Sequence, residues 1–312
     1  MPHRLLASLM LLAAGLLALA APPASAAPAA NRGVRTVPEG RMVEWDTRRD
    51  GNPRTWRSGN VTITLSTRRG ESAPIPVITV RVPGRPVFRH EGQEGMPNVL
   101  ARFGVGRIDP SAPGPQVLFT SYSGGAHCCT WIQLLEFSGG RWRAVDVREW
   151  DGEGLVNFPV DVNGDGVRDL VMADNRFDYA FDSHAGSFMP PQILNVRDGR
   201  VVDVSTDPSY RRIFESALAE VEPICREHAN GACAAFVAIA ARLGRAEWAW
   251  PIMMASYDRT VEWPWPTDCR VRIPASGACP DDQTITFAGM PQSLSWFLQH
   301  NGYTRDLIAP IR

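Results

Sequence analysis

Lysine is missing from all 312 residues, so every one of the 32 basic side chains is an arginine. We read this as the base-composition bias of GC-rich bacterial genomes and not as a functional signal. Excess positive charge is missing too: 33 acidic residues leave a formal charge of -1. Nucleic-acid binding calls for a strongly basic face, and this balance excludes nucleic acid as a partner. Long apolar runs are absent after the N-terminus. None reaches the roughly 18 residues that a spanning helix needs. No cysteine stands directly after the N-terminal apolar run, so no lipid anchor is indicated.

The N-terminus itself reads as an export signal. His3 and Arg4 precede an apolar run from Leu5 to Ala21, followed by Pro22-Pro23 and Ala24-Ser25-Ala26. That is a basic region, an apolar region and a small-residue cleavage site. Residues 1–26 are therefore expected to be a signal peptide, and the mature chain a soluble protein of the periplasm or medium without a membrane anchor. Removing Arg4 leaves 31 basic and 33 acidic residues, a formal balance of -2.

Cysteine is scarce but even in number, at six, which in an exported chain points to disulfides. Cys225 and Cys233 flank a helix-end sequence, and Cys269 and Cys279 bracket a Pro/Gly-bearing loop. Each pair is expected to close a short loop, stabilising by about 2–3 kcal/mol in the chain-entropy picture. Cys128 and Cys129 remain, adjacent to each other. They either bond to each other or reach distant partners, in which case the local pairings fail.

Asp161-Val-Asn163-Gly-Asp165-Gly166-Val167-Arg-Asp169 is the most informative stretch. Side-chain oxygens at alternate positions, a glycine turn and a fourth oxygen donor suit one hard divalent cation, with the Val167 carbonyl as a fifth donor. Calcium takes six to eight such oxygens at about 2.3–2.6 Å. An EF-hand is excluded, because that loop ends on a bidentate Glu at position 12, where this chain has Met172. The following Leu170–Met172 run suits a buried strand. The stretch resembles the FG-GAP or VCBS repeat of integrin-like β-propellers, over residues 156–175 and more loosely over 100–205. The resemblance implies a structural calcium inside a blade-like β unit.

Strand patterns surround this loop. Val61–Leu65, Val77–Val82, Gln116–Tyr122, Trp131–Phe137 and Trp142–Val147 read as strands, the last two joined by Ser138-Gly-Gly-Arg141. Asp198-Gly199 makes a similar turn between Ile193–Val196 and Val201–Val204. Ile108-Asp109 followed by Gln116-Val-Leu-Phe echoes Val160-Asp161 followed by Asp169-Leu-Val-Met. Residues 58–206 are too few for a closed propeller of at least four blades at ~40–45 residues each. The expected fold is α+β: an antiparallel, blade-like β-rich domain over 58–206, a partial propeller or sandwich, after an irregular arm over 27–57.

Residues 207–312 are expected to form a mainly helical, disulfide-stapled region. Asp207 and Pro208 make an N-cap and first helical position ahead of a helix to His228. A second helix is expected over Ala232–Leu243. A third, Ala246–Ala255, is expected to break at Pro251, and a fourth covers Pro291–His300.

Few constellations carry chemistry. In Ser121–Thr130, Gly124 and Gly125 permit close backbone approach, and His127 beside two thiols is a candidate ligand contact, metal ligand or general base. This stretch resembles segments of exported bacterial proteins, which adds no activity. Asp174, Asp178 and Asp182 are expected on a solvated loop. Trp248 and Trp263, in a Trp/Pro-rich stretch with Trp250 and Trp265, are either core fillers or a contact surface for a protein or an envelope glycan. The expectation is a non-enzymatic binding or structural module braced by calcium. The alternative is a cell-envelope hydrolase using His127.

Overall fold

The computed structural model describes residues 33–95, 98–125, 129–151, 155–273, 277–306 and 308. The β elements in chain order are β1 (Arg35–Thr36), β2 (Met42–Asp46), β3 (Arg54–Ser58), β4 (Val61–Arg69), β5 (Pro74–Arg81), β6 (Phe88–Glu91), β7 (Leu100–Gly106), β8 (Gln116–Tyr122), β9 (Thr130–Ser138), β10 (Arg141–Trp150), β11 (Leu170–Ala173), β12 (Pro191–Arg197) and β13 (Arg200–Asp203). A one-turn helix, α1 (Thr47–Asp50), separates β2 from β3. The segment expected as an irregular arm over 27–57 therefore carries strands. β1 and β2 lie at sheet edges with partners far along the chain, which local periodicity does not report, while β3 forms a hairpin with β4.

Two five-stranded sheets, ordered β1-β3-β4-β5-β6 and β10-β9-β8-β7-β2, share a core of Trp45, Trp56, Ile63, Val80, Phe103 and Phe119. Successive strand residues face opposite sides, so β8 sends Val117 and Phe119 into this core and Leu118 to the other face. There Leu118, Ile132 and Leu134 meet Leu170, Met172 and Leu194 of the third sheet, β11-β12-β13. The second sheet is thus covered on both faces, as the burial of successive residues along β8 and β9 shows. The fold is α+β with several antiparallel sheets. Among the described residues the one parallel pairing in these sheets joins β1 to β3.

The helical layer follows: α2 (Arg211–Arg226), α3 (Asn230–Arg242), α4 (Ala246–Ser256) and α5 (Met290–His300). Phe214, Leu218, Val221 and Cys225 recur at helical spacing on the buried face of α2. Every residue from Asn230 to Ala240 of α3 is buried, as suits an alanine-rich helix surrounded by others. The same core takes in Phe177, Phe181 and Ile193, so these helices are built against the third sheet and the loop that follows β11. Pro251 lies inside a continuous α4 and does not break it. Burial of Ala249 and Met253 outweighs the one backbone bond that proline removes. The expected disulfides Cys225–Cys233 and Cys269–Cys279 are both formed.

Candidate functional site

The loop between β10 and β11 closes at a neck. Val160 and Asp169 form an antiparallel bridge, with the Asp169 amide donating to the Val160 carbonyl at 2.8 Å. Between them the chain turns around one carboxylate. Asp161 Oδ1 accepts from the amides of Gly164 at 2.7 Å and Asp165 at 3.1 Å, and Oδ2 from Gly166 at 2.9 Å. Gly164 and Gly166 have φ of +79° and +84°, a conformation that side chains with a Cβ resist. Further along, Asn163 Oδ1 accepts from the Asp165 amide and Asp165 Oδ1 from the Val167 amide.

Asp169 faces the interior. It is 2% exposed; Oδ2 accepts from the Val162 amide at 2.8 Å, and Oδ1 from Asn195 at 2.7 Å and the Tyr210 hydroxyl at 2.5 Å. Burial, and then the bond to Asp169, push the Tyr210 phenol above its ordinary value. Arg197 spans Asn195 Oδ1 and Asp165 Oδ2, both at 3.0 Å. Asn163 is tied to Ser209 at 3.2 Å. The five expected donors thus sit on one loop, and three partners absent from the sequence reading, Asn195, Arg197 and Tyr210, hold it. Asn195 and Tyr210 lie 26 and 41 residues from Asp169, beyond the reach of any local motif.

Carboxylate, carboxamide and carbonyl oxygens are the donor chemistry of hard cations, so the residue types fit calcium. Each carboxylate has about four lone-pair sites, and Asp161 and Asp165 use only some of theirs on the contacts above. Among the described residues, however, the one group of three or more acid or imidazole side chains whose ligand atoms lie within 4.8 Å of one another is Asp151, Asp178 and His184. In the loop, Asp169 is committed to the interior and Asp165 to Arg197, so its three carboxylates do not form such a group.

Other expected site residues are scattered. Gly124 has φ of +89°, and the Gly125 carbonyl accepts from the Tyr122 hydroxyl. His127 and Cys128 lie outside the described residues, and Cys129 is disulfide-bonded. Trp248 is 39% exposed, packed edge-on against Phe236 with Arg245 stacked 4.1 Å from its ring centre. The Trp263 indole donates to the Tyr179 carbonyl at 3.1 Å. Trp250 and Trp265 pack against the helical core.

Asp174 departs from the solvated loop expected of it. It is fully buried, accepts from both Arg176 and Tyr303, and lies 3.7 Å from Arg148. Burial alone raises such a carboxyl, but the Arg176 guanidinium and the Tyr303 hydroxyl hold it below the usual carboxylate range. Asp178 instead meets His184 Nδ1 at 3.0 Å through both oxygens.

These observations define an α+β protein of stacked antiparallel sheets with a disulfide-braced helical layer. The profile of the sll0997 C-terminal domain matches residues 212–302, which span α2 to α5. The probable thylakoid lumen protein sll0997 of Synechocystis sp. is 32% identical over 257 residues, covering 78% of this chain and 74% of its own length. The chain belongs to the family of that protein. The uncharacterized protein y4bJ of Sinorhizobium fredii is 31% identical over 290 residues, 89% of this chain, but the chain spans only 45% of y4bJ. No solved structure matches. Among the described residues no helix is long and apolar enough to cross a membrane.

Proposed function

We propose that this protein works outside the cytoplasm as a calcium-braced structural or binding module, its cation held by the Asp161–Asp169 loop in the manner of FG-GAP and VCBS repeats. The observation that carries the reading is the turn of the loop around Asp161, whose carboxylate collects three consecutive backbone amides. That arrangement brings oxygen donors 161, 163, 165 and 167 onto one short coil while two glycines absorb the positive φ. The N-terminal signal pattern and the lumenal assignment in the name of the Synechocystis relative support export. Two faces packed across shared cores support a blade-like or sandwich reading of the β part.

Calcium would be held by Asp161, Asn163, Asp165 and the Val167 carbonyl. Asp169 closes the neck from inside, and Arg197 yields Asp165 to the cation. When bound, the ion supplies the local positive charge that Arg197 otherwise provides. A ligand that binds only the folded state stabilises by about 2.7 kcal/mol at a hundredfold excess over Kd. Calorimetry of the export-processed protein tests this: calcium should raise the melting temperature relative to chelator, and Asp165→Asn should abolish the rise. An unchanged melting temperature in calcium defeats the reading.

A further inference from the structure

A cavity of about 580 Å³ opens beside the neck of the loop, between residues 155–160 and β11. Its origin is steric. Phe158 lies on the bare backbone of β7, where a Cβ built at Gly104 or Gly106 would come within 2.5 or 2.7 Å of the ring. Arg168 covers the other side, 5.5 Å from the ring centre, and binds the Pro159 carbonyl at 2.8 Å. Residues 156–159 are therefore held to the second sheet while β11 belongs to the third. The two segments meet at Val160 and Asp169 and then diverge, leaving a wedge.

The wedge is lined mostly by carbon. Trp150, Phe158, Met172, Met189 and Ile213 form its walls, and Val156 and Val171 stand at its rim, 62% and 41% exposed. Its volume falls in the range of small-molecule sites, about 300–1,000 Å³. Among the described residues Asp169 is the one charged residue in the lining, and its carboxylate is already engaged by Val162, Asn195 and Tyr210. Among the described residues no ionic partner is offered to a ligand. The Asn157 carboxamide is one polar handle in the lining, and the strand edge supplies another. The Asp169 amide points across to Val160, and alternate residues of a strand direct their N–H and C=O groups to the same side, so those of Val171 flank the wedge.

We infer that this cavity binds a neutral, mainly apolar molecule carrying a hydrogen-bonding group, with its hydrocarbon between Trp150 and Met172 and its polar end at the Val171 backbone. Apolar burial drives the binding. The two methionines adapt to chains of differing shape. A carboxylate or ammonium ligand is disfavoured, because burying an unpaired charge is expensive. The inference does not rest on the cation reading.

The test is a fluorescence titration of the whole mature protein with N-phenyl-1-naphthylamine, run once with calcium and once with chelator. Saturable one-to-one binding in at least one condition is expected, with displacement by 1-dodecanol and much weaker displacement by dodecylammonium. Val156→Glu and Val171→Glu place a carboxylate at the rim on exposed positions and should each weaken probe binding at least tenfold with the melting temperature retained. Should Val171→Glu disturb β11, Val156→Glu still decides, since it lies outside any strand. Absence of saturable binding in both conditions, or unchanged affinity in a folded Val156→Glu protein, overturns the inference. Loss of the calcium-induced melting shift with probe binding intact would defeat only the cation reading.

Discussion

The Tyr210 hydroxyl donates to Asp169 Oδ1 at 2.5 Å, joining the last residue of the loop to the turn that opens the helical layer. Both groups are almost fully buried. The hydrogen bond fixes the loop neck to the start of α2 and so couples the β part to the region matched by the family profile.

Removing this hydroxyl leaves Asp169 with Asn195 and the Val162 amide. Tyr210→Phe should destabilise the protein by about 1.5–3 kcal/mol, the range for a hydrogen bond to a charged group. The effect is pH-dependent with a defined sign. The folded-state phenol is raised above its ordinary value, so its contribution is fully present below about pH 10 and is lost as pH rises beyond it. Urea unfolding curves should show the gap between wild type and Tyr210→Phe narrowing above that pH.

Arg197 and a cation compete for Asp165. The Arg197–Asp165 pair is half exposed, and such pairs contribute about 0.2–1 kcal/mol. Arg197→Ala should therefore tighten calcium binding by up to about fivefold. Isothermal titration of both proteins measures this, and weaker binding in the variant would contradict the proposed exchange.

Arg176 compensates the buried charge of Asp174, which is 0% exposed. Breaking a buried pair from one side costs about 3–5 kcal/mol, and because Arg176 is itself about a third exposed we expect roughly 2 kcal/mol for Arg176→Ala. The Asp174 carboxyl is held below its ordinary value, so the pair contributes fully above about pH 4 and is lost as pH falls through the folded value. Thermal melts at neutral and acid pH should show the variant's deficit shrinking on acidification.

Gly104→Ala places a Cβ 2.5 Å from the Phe158 ring. Overpacking of this kind costs about 1–3 kcal/mol. The displaced ring should also reshape the wedge beside β11. A lower melting temperature together with altered Trp150 emission would report both effects, while a neutral substitution would mean that Phe158 is not pinned there.

Local chemistry made much of this readable in advance. The strands Gln116–Tyr122 and Trp131–Phe137, the turn at Asp198-Gly199 and the four helices follow from periodicity and caps, which act within a few residues. The same holds for the oxygen spacing of 161–169 and for the disulfides at Cys225–Cys233 and Cys269–Cys279, where short loops bring partners together. Where partners are distant, the chain alone misled. Asp174 looked solvated because the Tyr303 phenol, unlike the neighbouring Arg176, meets it only after α5 returns to the third sheet. β1 and β2 have weak patterns because their ladders are completed by β3 and β7, farther along the chain.

Amino-acid order alone determined the α+β composition, the helix and turn positions and the donor chemistry of the loop, because each depends on neighbours a few residues apart. Tertiary structure decided the direction of Asp169, the pairing of Arg197 with Asp165 and the opening of the cavity at Val171. Those depend on which distant surfaces pack together, and close packing, not local preference, selects them.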